Sequence, residues 1–140
     1  MAYDTDTSDA ASLAGSAVPL DELFDIVRKV QSERTLLLID SGHSAPGSGM
    51  ELPPGAAIIS ASERGQRAYE LKTGGGLLTN CLIEALRGSG GKLSPVDLFR
   101  KVGPEVRAGA REVGQLQEPQ LAAGALASLW SIGEAPLAKP

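Results

Sequence analysis

One cysteine, no surplus of positive charge, no long apolar run and no signal-like amino terminus: the chain is first defined by what its 140 residues lack. A lone thiol, Cys81, cannot close an internal disulfide, which excludes a small scaffold stapled by cystines. With 13 Lys and Arg against 17 Asp and Glu, the net charge is −4 and the two signs are interspersed, so the basic stripe of a nucleic-acid binder is missing. No stretch stays apolar long enough to span a bilayer. Met1-Ala2-Tyr3-Asp4-Thr5-Asp6 has neither the positive n-region nor the apolar core of a signal peptide. These absences set the expectation of a cytoplasmic location, with neither nucleic acid nor membrane as a partner.

Enough material remains for one domain, since a compact chain of this length buries about 70% of its unfolded surface. Residues 1–18 are small and polar, follow neither helical nor strand period, and read as a flexible arm. After Pro19, near N1 of a helix, Leu20, Leu23, Phe24, Val27 and Val30 share one helical face, while Asp21, Glu22 and Asp25 fill the first turns and complement the dipole. Thr35-Leu36-Leu37-Leu38-Ile39 runs unbroken into Asp40 and the polar turn Ser41-Gly42-His43-Ser44. Such a run is a buried strand that delivers side chains to the carboxyl edge of a sheet, where open α/β sheets place their chemistry.

A Gly- and Pro-rich loop covers 45–54, and a second buried strand covers about 56–61. Gly74-Gly75-Gly76 introduces a helix from Leu77 to about Arg87, striped by Leu78, Cys81, Leu82, Ala85 and Leu86. Ser94-Pro95-Val96-Asp97 supplies an N-cap, a proline at N1 and an acid at N3, ahead of a helix burying Leu98, Phe99, Val102 and Val106. Pro104 should kink or divide that helix. Ala125 to Ile132, with Trp130 on a neighbour, reads as a last strand before a tail at 133–140.

Asp40-Ser41-Gly42-His43-Ser44 resembles the D-[SA]-C-H-S-G signature of the caspase and metacaspase-like cysteine peptidases, with Gly42 where that family holds its nucleophile. Pro54 to Glu63, with Gln66-Arg67-Ala68-Tyr69-Glu70, is similar to the next strand of bacterial caspase-like domains and the substrate loop leaving it. Gly74 to Thr79, leading into Leu82 to Leu86, resembles the family's G-G-x-[FL]-T helix start, and Glu118-Pro119-Gln120-Leu121 its late T-P-Q-x segment. Tyr3 to Asp6 and Pro19 to Leu23 look like the loop and helix ahead of the nucleophile strand, so the likeness covers residues 3–132 in the family's order.

The resemblance implies an α/β, caspase-like three-layer fold over 19–132, with a mainly parallel sheet flanked by helices, of which this chain is the carboxyl-terminal portion. It places the family's catalytic His in an H-G motif on an earlier strand, whereas His43 matches the residue just after the nucleophile. It also implies that Asp40, Glu63 and Glu70 border a pocket for a basic P1 side chain. As plain surface chemistry, Glu63 and Glu70 are solvated acids, and Asp40 caps the next turn or faces the site.

Rival motifs fail on chemistry. Gly42-His43-Ser44-Ala45-Pro46 approaches a G-x-S-x-G nucleophile elbow, but Pro46 replaces the last glycine and loop follows where a helix is needed. Asp40 and Ser44 have the spacing of an integrin-like D-x-S-x-S metal site, yet Gly42 removes the middle ligand. Asp4 and Asp6 begin a calcium-loop pattern whose glycine and glutamate positions hold Asp9 and Gly15. Gly88 to Ser94 has a phosphate-loop flavour, but Leu93 follows Lys92 and helix precedes it. Cys81, on an apolar stripe without a neighbouring base, reads as an inert core thiol. No metal and no cofactor are expected.

A cysteine peptidase needs a thiolate and an imidazole in mutual reach. Neither is in place, so the expected function is that of a pseudopeptidase binding a peptide or protein partner. One alternative is a fragment of a split Arg/Lys-directed endopeptidase, its nucleophile replaced at Gly42 and its His on another chain. The other is a structural assembly subunit. In each case a companion chain or a second copy is expected to cover the sheet edge that missing strands leave open.

Overall fold

The computed structural model describes residues 8–47 and 49–133. In chain order the elements are α1 (Ala10–Ser16), α2 (Leu20–Lys29), β1 (Thr35–Ile39), β2 (Ala56–Ser60), α3 (Leu77–Ser89), α4 (Pro95–Glu112) and β3 (Gln120–Ala123). The strands form one sheet in the order β1-β2-β3, with β1 parallel and β3 antiparallel to β2. Phe24 and Val27 of α2 pack against Ala56 and Ile58 on one face. On the other, Ile59 and Ala61 meet Leu78 and Leu82 of α3 and Leu98 and Val102 of α4. The result is three layers, an α/β architecture with a mixed sheet. Among the described residues, no helix is long and apolar enough to cross a membrane.

Local chemistry accounts for most boundaries. Ser94 accepts the Asp97 N–H at 3.1 Å and donates its hydroxyl to the Asp97 carboxylate at 2.8 Å, fixing the start of α4. α3 ends at Gly90, whose φ of 59° is the left-handed geometry of a helix stop.

Five sequence expectations change, four of them in local structure. The stretch read as an irregular arm contains α1, because Asp9 accepts the N–H groups of Ala11 and Ser12, both at 2.8 Å, and that cap starts a helix its periodicity does not announce. Pro19 is the N-cap of α2 instead of N1. Pro104 does not divide α4, which runs through 18 residues; Pro104 is exposed on its water side, so the bond it cannot make is lost where solvent can compensate. Residues 125–132 are turns, not a strand: the Leu126 N–H bonds to the Pro54 carbonyl, Leu129 to Leu126, and the Trp130 indole donates to the Gly55 carbonyl at 3.1 Å. The last strand lies earlier, at Gln120–Ala123.

The two parallel strands differ in burial. Ile58 and Ile59 of β2 are fully buried, whereas Leu38 of β1 is 42% exposed. The expectation of a buried first strand gives way to an edge strand. Thr35 donates to Gly55 and Ala61 donates to the Ile39 carbonyl, so residues 35, 37 and 39 point their backbone groups at β2. Those of Leu36 and Leu38 point outward, along an edge unpaired among the described residues.

Candidate functional site

β1 delivers Asp40 and the turn Ser41 to His43 to the carboxyl edge of the sheet. The turn is anchored by the buried residue that follows it. Ser44 is 1% exposed and donates its hydroxyl to the Ser41 carbonyl at 2.7 Å, so its oxygen is turned inward and out of reach of a substrate. The left-handed position is taken by His43, at φ 60°, one of the residue types most tolerant of that conformation. Its N–H donates to the Gln66 carbonyl at 2.8 Å, and its ring is on an exposed residue.

The loop after β2 closes on this turn. Ser62 donates to the carbonyls of both Gln66, at 3.2 Å, and Ser41, at 3.4 Å. The Gln66 side chain accepts the Glu118 N–H, and the Gln117 side chain accepts that of Tyr69, each at 2.8 Å. Residues 66–69 are thereby strung between the turn and the segment leading into β3. Between them opens a cleft of about 830 Å³ lined by Gly42, His43, Arg67, Ala68, Tyr69, Glu70 and Gln115. That size lies within the range of ligand pockets.

The three acids expected at a substrate pocket are dispersed. Glu70 lines the cleft with Gly42. Glu63 borders a neighbouring depression with Ala45, Pro46, Arg64 and Gln120, and its carboxylate accepts from the Gln66 and Gln120 amides, both at 3.4 Å. Asp40 turns to α3, where its carboxylate accepts the Thr79 N–H at 2.9 Å and the Thr79 hydroxyl. The N-cap residue of α3, Gly76, has no side chain to cap with, and Asp40 supplies the missing acceptor and a negative charge at the positive end of the dipole. Asp40 thus caps a helix 39 positions downstream, and not the turn that follows it in the chain.

Of the cleft residues, Gln115 received no role from the sequence, and Arg67, like Gln66 beside it, was read only as part of the segment similar to the family's substrate loop. A loop glutamine whose importance lies in a bond to a residue 52 positions away leaves no local signal.

Among the described residues that line the cleft there is no cysteine. The Gly42 N–H donates no hydrogen bond among the described residues, leaving a main-chain donor for a carbonyl. Arg67 and Glu70 put one cation and one anion on the cleft wall. Cys81 lies half-buried on α3, its thiol pushed above the usual range by burial and then by the charges of Glu105, Glu84 and Asp40, the opposite of an activated nucleophile. Among the described residues, no three His, Cys, Asp or Glu side chains gather into a metal cluster. Asp4 and Asp6, compared above with a calcium loop, lie outside the described residues.

The family model described as the caspase domain matches residues 5–129 of the chain. No curated protein matches it.

Proposed function

Because the chain belongs to the caspase-domain peptidase family, we propose that it is a pseudopeptidase, one that retains the family's peptide cleft and binds a peptide or protein segment there without cutting it. What supports this reading is Gly42 in the turn Asp40-Ser41-Gly42-His43-Ser44, which resembles the family's nucleophile signature with glycine in place of the attacking cysteine. A hydrogen side chain cannot form an acyl-enzyme, and loss of the nucleophile in a covalent hydrolase costs on the order of 10⁶ in turnover. The free Gly42 N–H is the donor for a peptide carbonyl. Glu70 takes a basic side chain and Arg67 an acidic one, so the preferred ligand pairs a Lys or Arg with an acid or a carboxylate.

Calorimetric titration with a blocked peptide carrying one arginine tests the reading. The expected result is saturable binding that weakens about twofold to fivefold in Glu70→Gln, the size of one exposed charge contact, and weaker binding of the arginine-to-glutamate peptide than of the arginine peptide. Equal affinity for both peptides removes Glu70 from the recognition.

A second reading, part of a split Arg/Lys-directed endopeptidase, draws on the open edge of β1. Exposed Leu38 and the outward backbone groups of Leu36 and Leu38 are what a further strand covers. A strand from a companion chain or a second copy pairs there, and in the split-enzyme case that strand also carries the imidazole. Mixing Gly42→Cys protein with such a chain then gives cleavage after Arg or Lys. A monodisperse monomer with a slowly exchanging Leu38 amide argues against any partner strand.

A further inference from the structure

Backbone conformation does not demand glycine at 42. The left-handed residue of the turn is His43, and Gly42 is not among the glycines of positive φ. Any L-residue can adopt its backbone; space is the constraint. A Cβ at 42 would lie 3.2 Å from Arg67 Cα, 3.2 Å from the Gln66 carbonyl oxygen and 3.3 Å from Ala68 N, all main-chain atoms. Comfortable carbon contacts begin near ~3.5 Å, so the loop must yield by a few tenths of an ångström. The oxygen that must move is the one accepting the His43 N–H at 2.8 Å and the Ser62 hydroxyl at 3.2 Å. On its far side the same residue is tied to the Glu118 N–H.

We propose that residues 66–69 form a latch that glycine at 42 allows to shut on the turn, with Gln66 as the positioning residue that holds Arg67 and Glu70 at the cleft wall. A side chain at 42 pushes the Gln66 carbonyl back by a few tenths of an ångström, which lengthens and weakens its bond from the His43 N–H and loosens the latch. The loss of the thiol and the closing of the loop are then one event: the glycine is fitted to its neighbours, and a cysteine restored there disturbs the wall that binds. The consequence for ligand access rests on the reading of the cleft as a peptide site, while the latch itself is measured with no peptide present.

Residue-resolved amide exchange on the full chain is the test. In Gly42→Ala the His43 and Glu118 amides exchange roughly tenfold faster than in the parent protein, while Val102 and Val106 in α4 keep their protection. Gly88→Ala, whose added methyl meets nothing within 4 Å, leaves both amides unchanged. Parent-like exchange at His43 in Gly42→Ala overturns the latch. Should Gly42→Ala lose core protection altogether, Gln66→Ala decides, because it removes the acceptor of the Glu118 N–H, and with it the long amide bond to Glu63, but leaves the main-chain carbonyl at 66 in place: faster exchange at His43 as well as Glu118 supports the latch, and a change at Glu118 alone overturns it. A peptide that fails to bind while the exchange pattern holds removes the proposed function and leaves the latch standing.

Discussion

At the amino ends of β1 and β2, a Cβ on Gly55 would lie 1.8 Å from the Glu33 carbonyl oxygen, and one on Gly124 2.1 Å from that of Pro53; at the carboxyl ends, a Cβ on Gly42 would meet main chain at 3.2 Å. The amino end is closed backbone on backbone, stitched by the Thr35 and Trp130 bonds to the Gly55 carbonyl. No side chain fits there. At the carboxyl end the contacts are marginal, and a loop held by side-chain amides sits over an open cleft. The same residue type is thus a condition of folding at one end and a condition of fit at the other. The tolerant end is the one where a family of enzymes places its chemistry.

Substitution series sharpen that contrast. The largest effect is expected from Gly55→Ala, which drives a methyl into a carbonyl that cannot move without breaking β1–β2 pairing; a loss above about 3 kcal/mol in urea unfolding is expected, the upper end for overpacking. A loss below about 1 kcal/mol would erase the distinction between the two ends.

Gly76→Ala comes next. A Cβ there would lie 2.0 Å from an Asp40 carboxylate oxygen, so the variant evicts the cap of α3 and costs about 2 kcal/mol, by the sum of a lost cap and local crowding. Asp40→Ala alone costs about 1 kcal/mol. The two losses are expected to be non-additive, because the three atoms nearest the added methyl all belong to the Asp40 carboxylate and vanish with it, and a double-mutant cycle by urea unfolding measures the coupling. Strict additivity would mean that Asp40 does not hold α3.

The smallest effect concerns Cys81, near the carboxyl end but outside the cleft. Burial and three neighbouring carboxylates raise its thiol above the usual range, so less thiolate is present at each pH near neutrality. Alkylation by iodoacetamide is expected to run slower than that of a free thiol between pH 7 and 8 and to rise only at higher pH. Rapid modification at pH 7 would instead mark an activated sulfur.

Much of this architecture was legible in the sequence for physical reasons. The runs Thr35–Ile39 and Ala56–Ser60 are strands because unbroken apolar stretches ending in an acid or a serine have few other solutions. Ser94, Pro95 and Asp97 state the start of α4 in three residues. β3 was obscured because Gln120–Ala123 is short and half-buried, while the more apolar Ala125 to Ile132 drew the strand assignment and turns out to wrap the amino end of the sheet. In the site, the turn and its glycine could be read from residue order. What closes it could not: Asp40 to Thr79 spans 39 positions and Glu118 to Gln66 spans 52, and such pairings exist only once the sheet has assembled.

If the Gly42 cleft binds peptide without cutting it, as proposed, the Gly42 amide resonance reports on it most directly. Titration of the ¹⁵N-labelled chain with a blocked arginine peptide is expected to shift that resonance downfield and saturably as its N–H gains a carbonyl, with the peptide still whole by mass after prolonged incubation. A Gly42 signal that stays in place throughout the titration, or the appearance of peptide fragments, would contradict the account.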